Sequence, residues 1–518
     1  MTKYLYGAAV QGIQGFIFQT NALQEIAGAS ELVEQICTDQ FKEAIGNFKE
    51  ENAIVTAAGN IKYIFDNKTD CENFVRSFPK MVMEFAPGIT ISQAVVEADE
   101  IGKDQIDELE RKLRAQRNKP FRPYDVGLMA VNRSRKTGIP AVKYIKQDDE
   151  YIDLGVDLKR AAIKSEEKGN PKYGRLIEAF FGNTKTNIAL DMKDITNSKT
   201  GNYSWLAVIH ADGNNMGVAL QKLANETKEK KGAEFISVFR SFSNAIDQST
   251  KEAARKAYLE VMKSNSTNPN NKLPFRPIVI GGDDLTVICR ADLAIEFTRV
   301  FLQFFEEESE KNFNNLPVKI DFLQNGLTAC AGIAFIKESY PFHYGYHLAE
   351  TLCGEAKKAA KEGLTNEQLT PSCLMFHKVQ DSFVEDYKEI KARELKSGDI
   401  QFDFGPYYLK SETKPTIDKL QSKVEQLEGK EGNAIKSHLR QWLTDLHNNK
   451  DLAEQKKLRL ISMGNQAILK ALNLNDKNAS GWMTMRSVKE KDEVKNVNFS
   501  PIYDWLTINS INQGGKEQ

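Results

Sequence analysis

No stretch of this 518-residue sequence holds the ~20 consecutive apolar residues that a membrane helix requires, so a helical membrane span is excluded. The amino terminus, MTKYLYGAAV, lacks a basic segment followed by an apolar core and a processing site, and the chain is expected in the cytoplasm. An excess of one charge is also missing. The 70 basic residues are balanced by 71 acidic ones, which gives no global attraction to nucleic acid or to an anionic membrane and confines any such contact to a local patch. The six cysteines (Cys37, Cys71, Cys289, Cys330, Cys353, Cys373) never form a CxxC pair, which argues against a cysteine zinc site and fits reduced thiols that act as small hydrophobes.

What is present is a chain long enough for roughly three or four domains at ~100 to 200 residues each. Residues 3–11 alternate as a strand, and residues 13–41 carry apolar side chains at helical spacing. NAIVTAAGN and IKYIFDN form a hairpin, CENFVRSFPKMVMEFA a helix and GITISQAVVEA a strand, which completes the β-α-β-β-α-β order of a ferredoxin-like unit. The order then repeats after about residue 200. It runs through YSWLAVIHA, helical segments from NMGVALQKL onward, the hairpin RPIVIGGDDLTVICR, the helix DLAIEFTRVFLQFFEEES, the strand GLTACAGIAFI and the helix HYGYHLAETLCGEAKKAAKEG.

Two copies of one unit can be compared position by position. The first hairpin turns at Ala57-Ala58-Gly59-Asn60 and the second at Gly281-Gly282-Asp283-Asp284; the first strand of copy one ends in AAVQG, that of copy two in IHADG with Asp212. Only the second copy is acidic. In a ferredoxin-like sheet the first strand lies beside the hairpin, so Asp212, Asp283 and Asp284 are predicted to converge. Clustered carboxylates repel one another and are tolerated mainly around a divalent cation, and an all-oxygen donor set suits Mg²⁺ or Mn²⁺. Gly281 and Gly282 would let a phosphate chain approach without a Cβ in the way. The loop Gly213-Asn214-Asn215-Met216-Gly217 opens a helix whose free N–H groups favour a triphosphate. These are the parts of a polymerase-type nucleotidyl transfer. Gly and Asp are also the ordinary residues of two-residue hairpin turns, so GGDD alone carries little; the repeat comparison and Asp212 give it weight.

IQGFIFQTNALQEIAGASELVEQI, HADGNNMGVAL, IGGDDLTVICR and TACAGIAFIKESYPFHYGYHLAETLCGEAKKAAKE resemble successive signatures of the large palm-domain subunit of type III CRISPR effector complexes. The resemblance implies an α+β chain in four parts. They are a degenerate ferredoxin-like palm at 1–115, a linking domain at 116–200, a catalytic GGDD palm at 201–377 and a C-terminal helical bundle at 378–518. It also implies condensation of ATP into cyclic oligoadenylate second messengers for antiviral signalling. Asp212, Asp283 and Asp284 would hold the metals, with Gly281 and Gly282 beside the nucleotide. By similarity to diguanylate cyclases, Lys357 would lie on the triphosphate; as an ordinary solvated helix lysine it would do nothing of the kind. Guide RNA, target RNA and other effector subunits are the partners implied, and oligomerisation is left open. Two features depart from the family pattern. No His-Asp dipeptide exists, so the HD nuclease is not expected, and the linking region has no cysteine for a zinc ribbon.

The remaining signals are weaker. His343 and His347 have metal-ligand spacing without an HExxH-type carboxylate, and a partly packed pair is the expectation. Nine Lys or Arg between Arg111 and Lys136, with Phe121 and Tyr124 among them, could contact RNA or form a solvated helix face and basic loop. Residues 262–276 read as a flexible loop. Beyond 378 amphipathic spacing predicts long charged helices ending in a frayed INQGGKEQ. Two function classes remain: a metal-dependent nucleotidyltransferase, or a scaffold or RNA-sensing subunit that binds nucleotide without turnover.

Overall fold

A computed structural model describes residues 2–57, 59–119, 129–163, 166–167, 170–171, 174–182, 187–196, 204–264, 272–365, 367–381, 386–490 and 493–516. The fold is α+β, built on two ferredoxin-like units. In the first, β1 (Lys3–Gln11) lies between β3 (Asn60–Phe65) and β4 (Thr90–Ala98), with β2 (Ala53–Ala57) on the edge, all antiparallel. Helices α1 (Leu23–Cys37) and α2 (Lys68–Phe85) bury Ile26, Leu32, Phe74 and Phe78 against one face of this sheet. Helix α3 (Lys103–Arg117) covers the other, with Leu109 so close over Gly7 that a Cβ there would lie 2.6 Å from its Cδ2. The helical region predicted over residues 13–41 is broken into Ile13–Ile17, α1 and a short turn of helix from Asp39.

The second unit repeats the order as β6–β7–β5–β8, where β5 is Trp205–Gly213, β6 Phe275–Gly281, β7 Asp284–Arg290 and β8 Ala329–Lys337. Its sheet continues past residue 377 through β9 (Cys373–Lys378), parallel to β8, and β10 (Tyr407–Tyr408). Alternation sorts the two faces of β5. Leu206 and Val208 join a core shared with the first unit, while Ala207, Ile209 and Ala211 face the core beneath the helices of the second. Trp205, at the start of the strand, sits under the amines of Lys337 and Lys378 at 4.2 and 4.4 Å from its ring centre.

In the linking region α4 (Leu154–Ala162) docks on α1, where a Cβ on Gly28 would fall 1.7 Å from the carbonyl oxygen of Lys159. The second unit carries the helices α5 (Met216–Glu226), α6 (Gly232–Ser264), α7 (Ala294–Asn314) and α8 (Phe342–Lys361). The 33 residues of α6 span about 50 Å. That length lets its start, with Phe235 and Ile236, pack on the outer face of the first unit while its end reaches the second.

The C-terminal part has the predicted helices, among them Gly429–Asn448 and Lys450–Met463. It also has an unpredicted four-stranded sheet, formed by two-residue strands at Lys396–Ser397 and Ile400–Gln401 and the hairpin Thr484–Glu490 with Glu493–Phe499. Of the tail predicted to fray, residues 511–516 continue the helix Ile502–Lys516, with Ile508 and Ile511 buried in the core, and residues 517–518 lie outside the described residues. Phe121, Tyr124 and residues 265–271 of the predicted 262–276 loop lie outside the described residues, while residues 262–264 belong to the end of α6 and 275–276 to the start of β6. All six cysteines are unpaired and buried, as predicted. No described helix is long and apolar enough to cross a membrane.

Candidate active site

The hairpin β6–β7 closes with Gly281 paired to Asp284, and β7 runs beside β5 so that Asp284 faces Asp212. The first unit closes in the same way, Ala57 to Asn60, with Asn60 opposite Ala9. Cross-strand register therefore places Ala9, Gly59 and Asn60 where the second unit has Asp212, Asp283 and Asp284. This corrects the end-to-end comparison of AAVQG with IHADG, which set Asp212 against Gln11. Pairing between strands fixes equivalence, and it is not visible along a single strand.

The three carboxylates meet as predicted, each offering an oxygen within 4.8 Å of the others. They form the only such group of three or more potential ligands among the described residues, and His343 and His347 are not part of one. Burial, then the Asp212 charge, pushes the Asp283 carboxyl up to about 6. Asp284 is pushed up to about 7 by desolvation first and by the charges of Asp283 and Asp212 next, even though the residue is exposed. Hard oxygen donors held together against their repulsion fit a divalent cation of the Mg²⁺ or Mn²⁺ type. The backbone is built to allow this approach. A Cβ on Gly213 would lie 2.7 Å from the Cβ of Asp283, and Gly282 has a φ of 60°, in the left-handed region.

Lys357 reaches the cluster from α8. Its Nζ donates to Asp212 Oδ2 at 2.6 Å and to the Gly213 carbonyl at 2.8 Å. Burial lowers the affinity of this amine for its proton, but the hydrogen bond to Asp212 outweighs that and the pKa is raised. Lys357 is thereby the counter-ion of Asp212. Lys361, one helical turn on, faces the same cleft.

That cleft, of about 420 Å³, is lined by Asp212, Asp283, Lys357, Asn215, Gly217 and Thr370 among others. Met216 opens α5, so the free N–H groups of its first turn border the cleft. The side chains of Asn214 and Asn215, expected from the sequence to contact nucleotide, hold the loop in place. Asn214 is fully buried and donates to Thr328 Oγ1 at 3.1 Å and to the Thr370 carbonyl at 3.3 Å. Asn215, at φ 59°, accepts from the Thr370 N–H at 3.0 Å. Both pin the loop to the segment after α8. Gly281 is buried at the strand end.

The other end of α8 meets the first unit. A cavity of about 640 Å³ lies there, lined by Gln14, Phe18, Lys136, His343 and His347 among others. Gln14 donates to Tyr346 Oη and Glu350 Oε1, both at 3.1 Å, and Phe18 packs on Tyr346 with ring centres 4.3 Å apart. Of the basic segment, Lys136 is tied to Glu25 and Glu150 at 3.1 and 3.0 Å. Sequence reasoning missed the side chains that hold the acidic turn from behind. Thr250 Oγ1 donates to the Gly282 carbonyl at 2.6 Å, and the Gly282 N–H donates to Asp247 Oδ1 at 3.4 Å. Their i, i+3 spacing on α6 was readable, but nothing in the sequence pairs them with residue 282.

Residues 205–365 match the family described as Cas10/Cmr2, second palm domain. No curated protein matches the sequence. Among solved structures, a chain of the Csm1–Csm4 cassette in complex with cA3 superposes with a TM-score of 0.55 at 13% identity, covering 98% of this chain and 69% of that one. The cassette in complex with one ATP gives 0.54 at 12% identity, with 99% and 70% covered. The cassette in complex with pppApApA gives 0.53 at 11%, with 99% and 69% covered. At these identities the likeness establishes a shared fold. In sequence over its second palm, and in fold over nearly its whole length, the chain is similar to the Cas10-type palm subunit of type III CRISPR effector complexes.

Proposed function

We propose that this chain is a metal-dependent nucleotidyltransferase that joins ATP molecules into cyclic oligoadenylate. The observation that carries the reading is the meeting of Asp212, Asp283 and Asp284 beside a cleft of about 420 Å³ that also presents Lys357 and a helix N-terminus. Support comes from the relatives of like fold solved in complex with ATP and with cA3. In the reaction, the 3′-oxygen of one nucleotide bonds to the α-phosphorus of another, the bond to the bridging pyrophosphate oxygen breaks, and the hydroxyl proton is released. A divalent cation bound by the three aspartates would supply the charge that activates the hydroxyl and neutralises the phosphates. The chain's own part is positional. The Asn215–Gly217 loop and the first turn of α5 receive phosphate oxygens, and Lys357 exchanges Asp212 for the triphosphate once the acid has another partner. The first palm lacks all three acids and serves as the wall against which α8 is packed. By the same resemblance, other effector subunits and RNA are its partners.

A second reading has one observation in its favour: the Lys357–Asp212 pair already neutralises one acid without metal. That state suits a palm that binds nucleotide as a scaffold. The test is to incubate the full-length protein with ATP and Mg²⁺ or Mn²⁺, alone and with partner subunits and target RNA, and to identify products by mass spectrometry. Oligoadenylate from the native protein and none from Asp283→Ala/Asp284→Ala is expected. ATP binding without product under every condition would leave the scaffold reading in its place.

A further inference from the structure

The acidic turn is held from behind by a helix that also touches the other palm. Gly282 is the residue whose left-handed backbone swings Asp283 and Asp284 toward Asp212. Both of its backbone polar groups are engaged by α6, the carbonyl by Thr250 Oγ1 at 2.6 Å and the N–H by Asp247 Oδ1 at 3.4 Å. Thr250 is fully buried, and Asp247 is in turn fixed by Lys251 at 2.7 Å. Ser249, on the same helix, accepts from Asn312 at 2.9 Å, so the segment is braced on its far side as well. About two turns before Asp247, Arg240 donates through Nε to the Ala53 carbonyl at 2.6 Å and through Nη2 to the Glu51 carbonyl at 2.8 Å. Those carbonyls lie at the entry to β2, the edge strand of the degenerate palm.

We propose that Thr250 and Asp247 are positioning residues that lock the Gly282 peptide in the orientation a cation between Asp212, Asp283 and Asp284 requires, and that α6 takes its own position from the first palm through Arg240. The degenerate palm is then more than a wall: it sets the geometry of the working turn through one rigid element. The inference rests on the metal reading above. It adds residues that touch neither metal nor nucleotide, and it gives the first palm a part in the site.

The test is Mn²⁺ binding to the full-length protein, followed by electron paramagnetic resonance, with product formation at graded Mn²⁺ as the second readout. Thr250→Val keeps the shape and deletes the hydroxyl; Thr250→Ser keeps the hydroxyl. Thr250→Val is expected to weaken Mn²⁺ binding about tenfold and to raise the Mn²⁺ needed for half-maximal turnover by a similar factor, the size of one lost buried hydrogen bond. Thr250→Ser is expected to restore both to within about threefold. Arg240→Met, which deletes the tie to the first palm, is expected to weaken Mn²⁺ binding about threefold. If Thr250→Val does not fold, Asp247→Ala, at a half-buried position, takes the same assay. Native-like Mn²⁺ affinity in the Thr250 or Asp247 variant overturns the clamp, and native-like affinity in Arg240→Met overturns the part assigned to the first palm. If the native protein binds Mn²⁺ no better than Asp283→Ala/Asp284→Ala, the metal reading itself fails and the clamp goes with it.

Discussion

Asp283 and Asp284 are acids kept in a place that resists their charge, and this gives the folded protein a definite response to pH. In the folded, metal-free state they retain protons up to about pH 6 and about pH 7, whereas an unfolded chain releases them near ~3.9. Between those limits the native state binds more protons than the unfolded one, so unfolding free energy falls as pH rises from about 4 to about 7. The expected loss from these two groups is on the order of 1–2 kcal/mol after allowance for solvent screening at the open cleft. Thermal melts in chelator across that window should show the decline, and Asp283→Asn/Asp284→Asn should flatten it. Mn²⁺ competes with the same protons, so the melting-temperature rise it produces should grow with pH over the window. At Lys357, methionine would leave Asp212 without its 2.6 Å partner and the cleft without its nearest cation. Turnover at saturating Mn²⁺ should drop by ~10- to 100-fold, the range for a lost charge-assisted hydrogen bond, and steady-state kinetics should register it in KM for ATP as well as in kcat.

Strands and helices meet in this fold where a side chain is missing. A Cβ on Gly332 of β8 would lie 2.0 Å from the Ala349 carbonyl and 2.5 Å from the Cys353 N–H, so α8 rests directly on the sheet backbone. Gly332→Ala should lift that helix and destabilise the protein by about 1–3 kcal/mol, as an overpacked core does, which a shift in urea midpoint would measure. Gly213→Ala is a different lesion. The three heavy atoms nearest its Cβ would all belong to Asp283, so turnover should collapse while the melting temperature stays within a few degrees of native; equal loss of both would mean the strand end is not the site. Elements of this kind were legible where periodicity was long. The two hairpins, α6 and α8 follow their apolar spacing, and the repeat exposed the acidic turn. The small C-terminal sheet was not legible, because two of its strands are two residues long and its hairpin, TMRSVKE with EVKNVNF, is too charged to declare a buried face. Asp247 and Thr250 were hidden for another reason: their partner is over 30 residues away, and a contact at that distance is a property of the folded pair.

The two palms share one core. A single cluster runs from Tyr6, Phe74 and Phe78 in the first to Val208, Ile288 and Leu352 in the second, and Ser30 of α1 donates to the carbonyl of Ile278 in β6. The contact of α4 with Gly28 ties the linking domain to the same body. Calorimetry should therefore show both palms unfolding in one transition; two resolved palm transitions would mean that the shared core is not cooperative. The four tryptophans are spread unevenly over this body. Trp442, Trp482 and Trp505 belong to the C-terminal part, leaving Trp205 as the sole indole of either palm. It stands at one end of β5 beneath two ammonium groups, and Asp212 stands near the other end, about 23 Å along the strand at ~3.3 Å per residue. The protein thus carries its own optical gauge. With the three C-terminal tryptophans replaced by phenylalanine, emission from Trp205 would register whether occupation of the acidic cluster stays local or is felt along the whole of the strand that bears it.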